Sequence, residues 1–239
     1  VKKSDPGLPV ETAAVSVQGP GIAATILSMI IWGLAPLYWS ELNGIPALEL
    51  ILHRVVWVWL VLLPVVFWRG KGRAFLAALR TAREGGLHLL SGVLLAINWF
   101  SFVWAVLNAR VVEVSLGYFI LPLLNVLLGF IFFRERLSRL QGLAVSLAAV
   151  AVVIELVQYG ELPWTALVVA LSFGFYSLIR KKSVLGSLTG LAVEMNFLFP
   201  LAFGVLLFRL MDGSGAFGPS PAGINLLLAG TGLLTATPL

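Results

Sequence analysis

The chain has no cysteine. It therefore forms no disulfide, carries no thiolate nucleophile and offers no sulfur ligand to a metal or cluster. Its two histidines, His53 and His88, cannot build a multi-histidine metal centre without help from carboxylates. Charge is scarce too: 11% of residues are Asp, Glu, Lys or Arg, where a soluble domain carries about 25%. That deficit excludes a soluble globular enzyme. It also excludes disorder, since disordered chains are polar and highly charged. HExxH, GxSxG and P-loop patterns are missing, and no run of carboxylates suits a metal. The sequence implies no cofactor, no metal and no catalytic set.

What fills the chain is apolar: 59% of its 239 residues are hydrophobic, and the mean hydropathy is +1.00. Such a composition belongs to an integral membrane protein. A helix crossing a hydrocarbon core of about 30 Å needs about 20 mostly apolar residues. Eight segments qualify, at 21–40, 48–68, 87–107, 113–133, 140–157, 162–179, 188–208 and 222–239. Runs such as LLNVLLGFIFF do not alternate as barrel strands do. The expected fold is therefore all-α, a polytopic membrane helix bundle. The first run starts too far in, is too long and has too many successors to be a cleavable signal. Residues 1–20 read as a polar cytoplasmic tail.

Charge between the spans sets orientation. With the N-terminus in the cytoplasm, the inside segments 1–20, 69–86, 134–139 and 180–187 hold 13 of the 16 Lys and Arg residues. The outside loops hold Arg110 and Arg209, and Arg54 lies within a span. This asymmetry predicts an N-terminus inside. It also accounts for the net charge of +5 without a nucleic-acid partner.

A charge at mid-membrane costs roughly 3 kcal/mol on insertion scales, so ionisable residues within spans are candidate functional groups. His53 and Arg54 lie in the second span, with Glu49 one turn earlier on the same face and expected to pair with His53. Arg54 could hold an anionic substrate group while His53 titrates near neutral pH. Alternatively the trio is a buried packing network, or Arg54 snorkels outward. In the third span Asn98, Ser101, Ala105 and Asn108 form one stripe, with Trp99 beside it. Ser115, Tyr118, Pro122, Asn125 and Gly129 form a second stripe in the fourth. Small and amide residues pack membrane helices together, yet two successive stripes, one with a mid-span proline, also suit a shared cavity. Glu194, inside the seventh span, is either a proton carrier or a neutral acid bonded to a neighbouring helix. Tyr176 near the end of the sixth span is the weakest candidate, since a membrane tyrosine is usually interfacial.

Several stretches together resemble the RarD branch of the EamA-type transporters, in the drug/metabolite transporter superfamily. They are IIWGLAPLYW, ELILHRVVW, NWFSFVWAVLN, SLGYFILPLLNVLLGFIFFRERLSRLQ, SFGFYSLIRKK and NLLLAGTGLLTATPL. Members of this branch are named for chloramphenicol sensitivity and described as permeases. Two departures stand out. Leu121 occupies the place of Asn in a GYFxNPL pattern, and VEMN replaces an acid–threonine pair, with the acid retained as Glu194. The resemblance implies ten helices in two inverted five-helix repeats. Residues 21–157 would then be the first repeat and 162–239 an incomplete second one, with two further helices expected beyond Leu239. Such a piece is expected to leave its cavity half open to lipid and to transport nothing alone.

The resulting expectation is a secondary-active transporter of small organic metabolites or drug-like solutes, in a bacterial inner membrane. It works by alternating access and is not an enzyme. Its partners would be the lipid bilayer and a small-molecule solute, with a homodimer left open. The substrate and proton pathway would draw on His53, Arg54, Asn98, Trp99, Asn108, Tyr118, Pro122, Asn125, Tyr176 and Glu194. Two other classes stay open: an intramembrane enzyme acting on a lipid-linked substrate, and a non-transporting scaffold or sensor.

Overall fold

The computed structural model describes residues 19–134, 137–160 and 163–238. Most of the polar tail and Arg136 of the basic set lie outside the described residues. The chain runs through helices α1 (Gly19–Ser40), α2 (Ala47–Trp68), α3 (Gly72–Arg80), α4 (Ala82–Leu107), α5 (Val111–Phe133), α6 (Arg139–Tyr159), α7 (Trp164–Arg180), α8 (Ser187–Met211) and α9 (Ala222–Ala236). Among the described residues no strand occurs, and the fold is the expected all-α polytopic membrane bundle.

Six of the eight expected spans, α1, α2, α4, α5, α6 and α8, are long and apolar enough to cross a bilayer. The other two are apolar but shorter, α7 with 17 residues and α9 with 15. At 1.5 Å per residue they reach about 26 and 23 Å. The third span begins earlier than the hydropathy suggested, because α4 starts at Ala82 rather than 87. The loop before it is partly helical. In α3, Gly72, Phe75 and Ala78 are buried and lie on one side, against α4 and α8.

Local chemistry fixes the ends. Pro46, Pro163 and Pro221 stand directly before α2, α7 and α9. Proline there gives up no intrahelical bond. Ser138 and Gln141 cap α6 reciprocally, Ser138 Oγ accepting from Gln141 N at 3.3 Å and Ser138 N donating to Gln141 Oε1 at 2.9 Å. Gly160, with φ +73°, ends α6.

α2 is the central post, packed on α4, α8 and α9, while α4 packs on α7 and α8, and α5 on α7. Trp39, Leu50, Val58, Leu62, Met195 and Leu228 form the middle of the core. The periphery is apolar as well. No residue of the α6 span is buried, and Leu140 and Val157 stand open. In water that surface would be a liability; in lipid it is the expected exterior. Because successive spans alternate in direction, α3 not being one of them, the connections after α2, α5 and α7 share one end of the bundle. Arg69, Lys71, Arg134, Lys181 and Lys182 gather there; it is called the basic end below.

Two close approaches depend on glycine. A Cβ at Gly117 of α5 would stand 2.8 Å from the Ala166 carbonyl oxygen of α7. Backbone cannot give way as a side chain can. Gly117→Ala should therefore lower stability by about 1–3 kcal/mol. Gly142→Ala on exposed α6, with nothing within 4 Å, should be neutral or raise it by up to about 1 kcal/mol. Unfolding midpoints of the two variants in detergent check the contrast; equal midpoints would contradict it.

Candidate functional site

At the basic end α4, α7 and α8 converge on Glu194, which is fully buried. Ser91 Oγ donates to its Oε1 at 2.7 Å. His88 Nδ1 lies 3.4 Å and Arg180 Nε 3.5 Å from the same oxygen. Tyr176 OH donates to Oε2 at 3.4 Å. His88 and Ser91 are three residues apart on α4, and Tyr176 and Arg180 four apart on α7, so each pair shares a helix face. Glycine lets the faces close. A Cβ at Gly92 would stand 3.4 Å from that of Glu194, and the guanidinium of Arg180 fills the space a side chain on Gly190 would need.

A second layer orients His88. Its Nε2 lies 3.0 Å from Ser183 Oγ, and that hydroxyl donates to Glu84 Oε2 at 3.0 Å while accepting from Leu185 N at 3.1 Å. A serine hydroxyl has one proton and two lone pairs. With the proton given to Glu84 and one lone pair to Leu185, the remaining bond must be donated by His88. The neutral imidazole therefore carries its proton on Nε2 and leaves Nδ1 bare. Bare Nδ1 can accept from Arg180 Nη1, 3.4 Å away. Facing Glu194 Oε1, it would set acceptor against acceptor unless it is protonated. The two contacts of Nδ1 exclude one another.

On the other side of the core Arg54 of α2 is 1% exposed. Its guanidinium lies 3.7 Å from the centre of the Trp99 ring and 5.5 Å from those of Trp32 and Trp39. Nε donates to Thr235 Oγ1 of α9 at 2.8 Å. Nη2 has no partner, and neither does the nearby Trp39 Nε1. No carboxylate forms an ion pair with Arg54 among the described residues.

The expected pairing of Glu49 with His53 does not form. Glu49 Oε1 instead accepts from Ala216 N at 2.5 Å, and its Oε2 faces Arg209 Nη2 at 3.4 Å. A permanent cation from the end of α8 outcompetes an imidazole one turn away on the same helix. His53 packs on Phe217, ring centres 5.4 Å apart, with Nε2 unpartnered. It borders a mostly apolar cavity of about 250 Å³ with Trp57, Phe203, Leu207 and Phe217. Consecutive on one helix, His53 and Arg54 thus serve different surroundings.

The profile of the EamA-like transporter family matches residues 19–156. The chain belongs to this family. It is 42% identical over 225 residues to an uncharacterised transporter, YojE, of Bacillus subtilis, covering 92% of this chain and 74% of that protein. Protein RarD of Salmonella typhi is 40% identical over 220 residues, again 92% of this chain and 74% of the relative. A chloramphenicol-sensitive protein RarD of Pseudomonas aeruginosa is 35% identical over 224 residues, with the same shares. These relatives place the chain in the RarD branch of the EamA transporters. No solved structure matches it. The protein is a multi-pass membrane protein and a membrane transporter.

Within this EamA-type bundle the other candidates separate. Asn98 is buried and donates to Val169 O at 3.0 Å and Ser172 Oγ at 3.3 Å, tying α4 to α7. Trp99 is the floor of the Arg54 box. Asn108 is exposed and donates to Trp104 O at 2.7 Å, closing the end of its own helix. Tyr118, Pro122 and Asn125 lie on the exposed side of α5, away from the buried Gly117 and Leu128. Tyr118 nevertheless reaches α4, its ring 6.3 Å from that of Phe102, and Gly129 of the same stripe is buried. Glu194 and Tyr176 do meet. Their partners His88, Ser91, Arg180, Ser183 and Glu84 escaped the sequence reading, although Glu84, His88 and Ser91 fall at helical spacings of four and three. No group of three or more His, Asp or Glu side chains is placed to hold a metal ion among the described residues.

Proposed function

We propose that the protein is a secondary-active transporter of small organic solutes, driven by a proton gradient and working by alternating access. The basic end and the N-terminus face the cytoplasm of a bacterial inner membrane, as the positive-inside bias favours. The solute path runs between the two repeats, residues 21–157 and 162–239, along α1, α4, α5 and α7.

One observation carries this reading: the fork at His88 Nδ1. Without a proton there, Arg180 is its partner; with one, Glu194 is. The protonated arrangement draws α4 to α8, and the neutral one draws α4 to α7. A proton arriving at this buried group thus biases two packings of the same three helices, as alternating access requires. Arg54 lies toward the far end of the spans from Glu194. That separation speaks against one catalytic centre assembled from both.

The test is uptake and counterflow in proteoliposomes holding the full-length protein, across amino acids, other metabolites and chloramphenicol. An inward pH gradient should accelerate uptake of at least one compound. In His88→Gln that gradient-driven uptake should fall by about ten-fold or more, while exchange without a gradient persists, because Gln offers His88's hydrogen bonds but carries no extra proton. Uptake indifferent to the gradient would remove proton coupling. Failure of the folded protein to move any compound would favour a scaffold or sensor.

A further inference from the structure

Arg54 is a buried cation that no carboxylate neutralises among the described residues. A guanidinium stays protonated at any physiological pH, and burying its charge without a counter-ion is strongly unfavourable. Three tryptophan rings offset part of that cost through their faces, Trp99 at 3.7 Å most of all. Ring faces cannot, however, accept the in-plane N–H bonds of the guanidinium edge. Thr235 accepts one, at Nε, while Nη2 is left with none although the residue is 1% exposed. Trp39 Nε1, on one wall of the box, is a second buried donor without an acceptor. Two unmet donors beside one uncompensated positive charge call for a ligand that accepts hydrogen bonds and is negative.

Resting on the transporter reading, we propose that Arg54 is the substrate-recognition residue and that the transported solute is an organic monoanion, a carboxylate on an apolar body. One negative charge neutralises the box. A phosphate dianion would leave one charge buried and unpaired. The carboxylate takes Nη2 and the Trp39 N–H, and the apolar body lies against Trp32 and Trp99. Tyr118 of α5, its ring 6.3 Å from that of Phe102 on α4, is 44% exposed and stands on the side through which the body would extend. This anion site is separate from the Glu194 cluster, where Arg180 already has its carboxylate.

The experiment is a binding titration of the full-length protein in detergent, read by intrinsic tryptophan fluorescence. The probes are N-acetylphenylalanine, its uncharged amide and phenyl phosphate. The acid should bind at least ten-fold more tightly than the amide and more tightly than the phosphate ester. Arg54→Gln should erase the acid-over-amide preference with helical content unchanged. Thr235→Val, which removes Arg54's structural bond and leaves its charge, should keep the preference. Equal binding of acid and amide by the unaltered protein would overturn the proposal without any variant having to fold. So would an Arg54→Gln protein that still prefers the acid, or a tighter complex with phenyl phosphate. Gradient-driven movement of neutral solutes that ignores Arg54→Gln would sink this assignment alone. A protein that moves nothing would sink the transporter reading beneath it.

Discussion

Glu194→Ala should be the most destabilising single change at the basic end, by about 3 kcal/mol, at the lower edge of the range for breaking a buried ion pair. The cost lies less in the lost bonds than in what remains. Arg180, its side chain 14% exposed, would keep a full charge with no carboxylate beside it, and only neutral partners such as Tyr176 and a carbonyl, Gly186 O at 3.1 Å, to meet it among the described residues. The corollary is sharper than the loss itself. Adding Arg180→Met to Glu194→Ala should restore most of the stability, since removing both charges leaves no stranded ion. A double-mutant cycle on unfolding in detergent should give a coupling of about 1.5 kcal/mol or more between the two sites. Simple additivity would mean that Arg180 and Glu194 do not depend on one another. Gradient-driven uptake should be lost in all three variants, including the restored one, because stability and coupling draw on different properties of the same carboxylate.

The second large effect is expected at Gly232. A Cβ there would stand 2.5 Å from the carbonyl oxygen and 2.6 Å from the carbonyl carbon of Trp57, so α9 could not keep its place on α2. Even Gly232→Ala should cost about 2–3 kcal/mol, at the upper part of the range for overpacking a tight contact. Thr235, one turn on, would withdraw from Arg54. If the anion site is as inferred, Gly232→Ala should also weaken binding of N-acetylphenylalanine while leaving its preference over the amide, as in Thr235→Val, whereas Gly223→Ala at the open start of α9, with nothing within 4 Å, should change neither stability nor binding. An unfolding midpoint for Gly232→Ala equal to that of the unaltered protein would show that the helices can part here at little cost.

The spans were legible because the requirement is one-dimensional: enough consecutive apolar residues to cross a fixed thickness. Their lining was not. Glu194 stood out because a carboxylate inside an apolar run is rare. Glu84 lies in the first turn of α4, where hydropathy had drawn a loop, His88 sits only two residues inside the span it drew, and Arg180 was absorbed into the charge count that orients the chain. Nothing local distinguishes an arginine at the end of a span that faces lipid headgroups from one that turns inward. That depends on Gly190 of another helix leaving room for it. The same limit misdirected Glu49. Spacing along α2 favoured His53, while Arg209, 160 residues away in sequence, was nearer in space and fully charged. The stripes of α4 and α5 were seen correctly as stripes, but a seam and a cavity wall use the same small and amide residues. Only the partner helix separates the two.

The short helix α3 has a mechanical consequence. Its buried Phe75 meets Phe67 at the end of α2, ring centres 6.1 Å apart, and Gly72 is closed over by the same phenylalanine. A single residue, Thr81, joins it to α4, and its other contact is with α8. It is thus a tie-bar across α4 and α8, two of the three helices that surround Glu194, and it is pinned to α2, which carries Arg54. If α8 draws away from α4, α3 cannot follow both, and the strain passes into α2. A rigid bar of nine residues thereby links two buried charges that share no hydrogen bond.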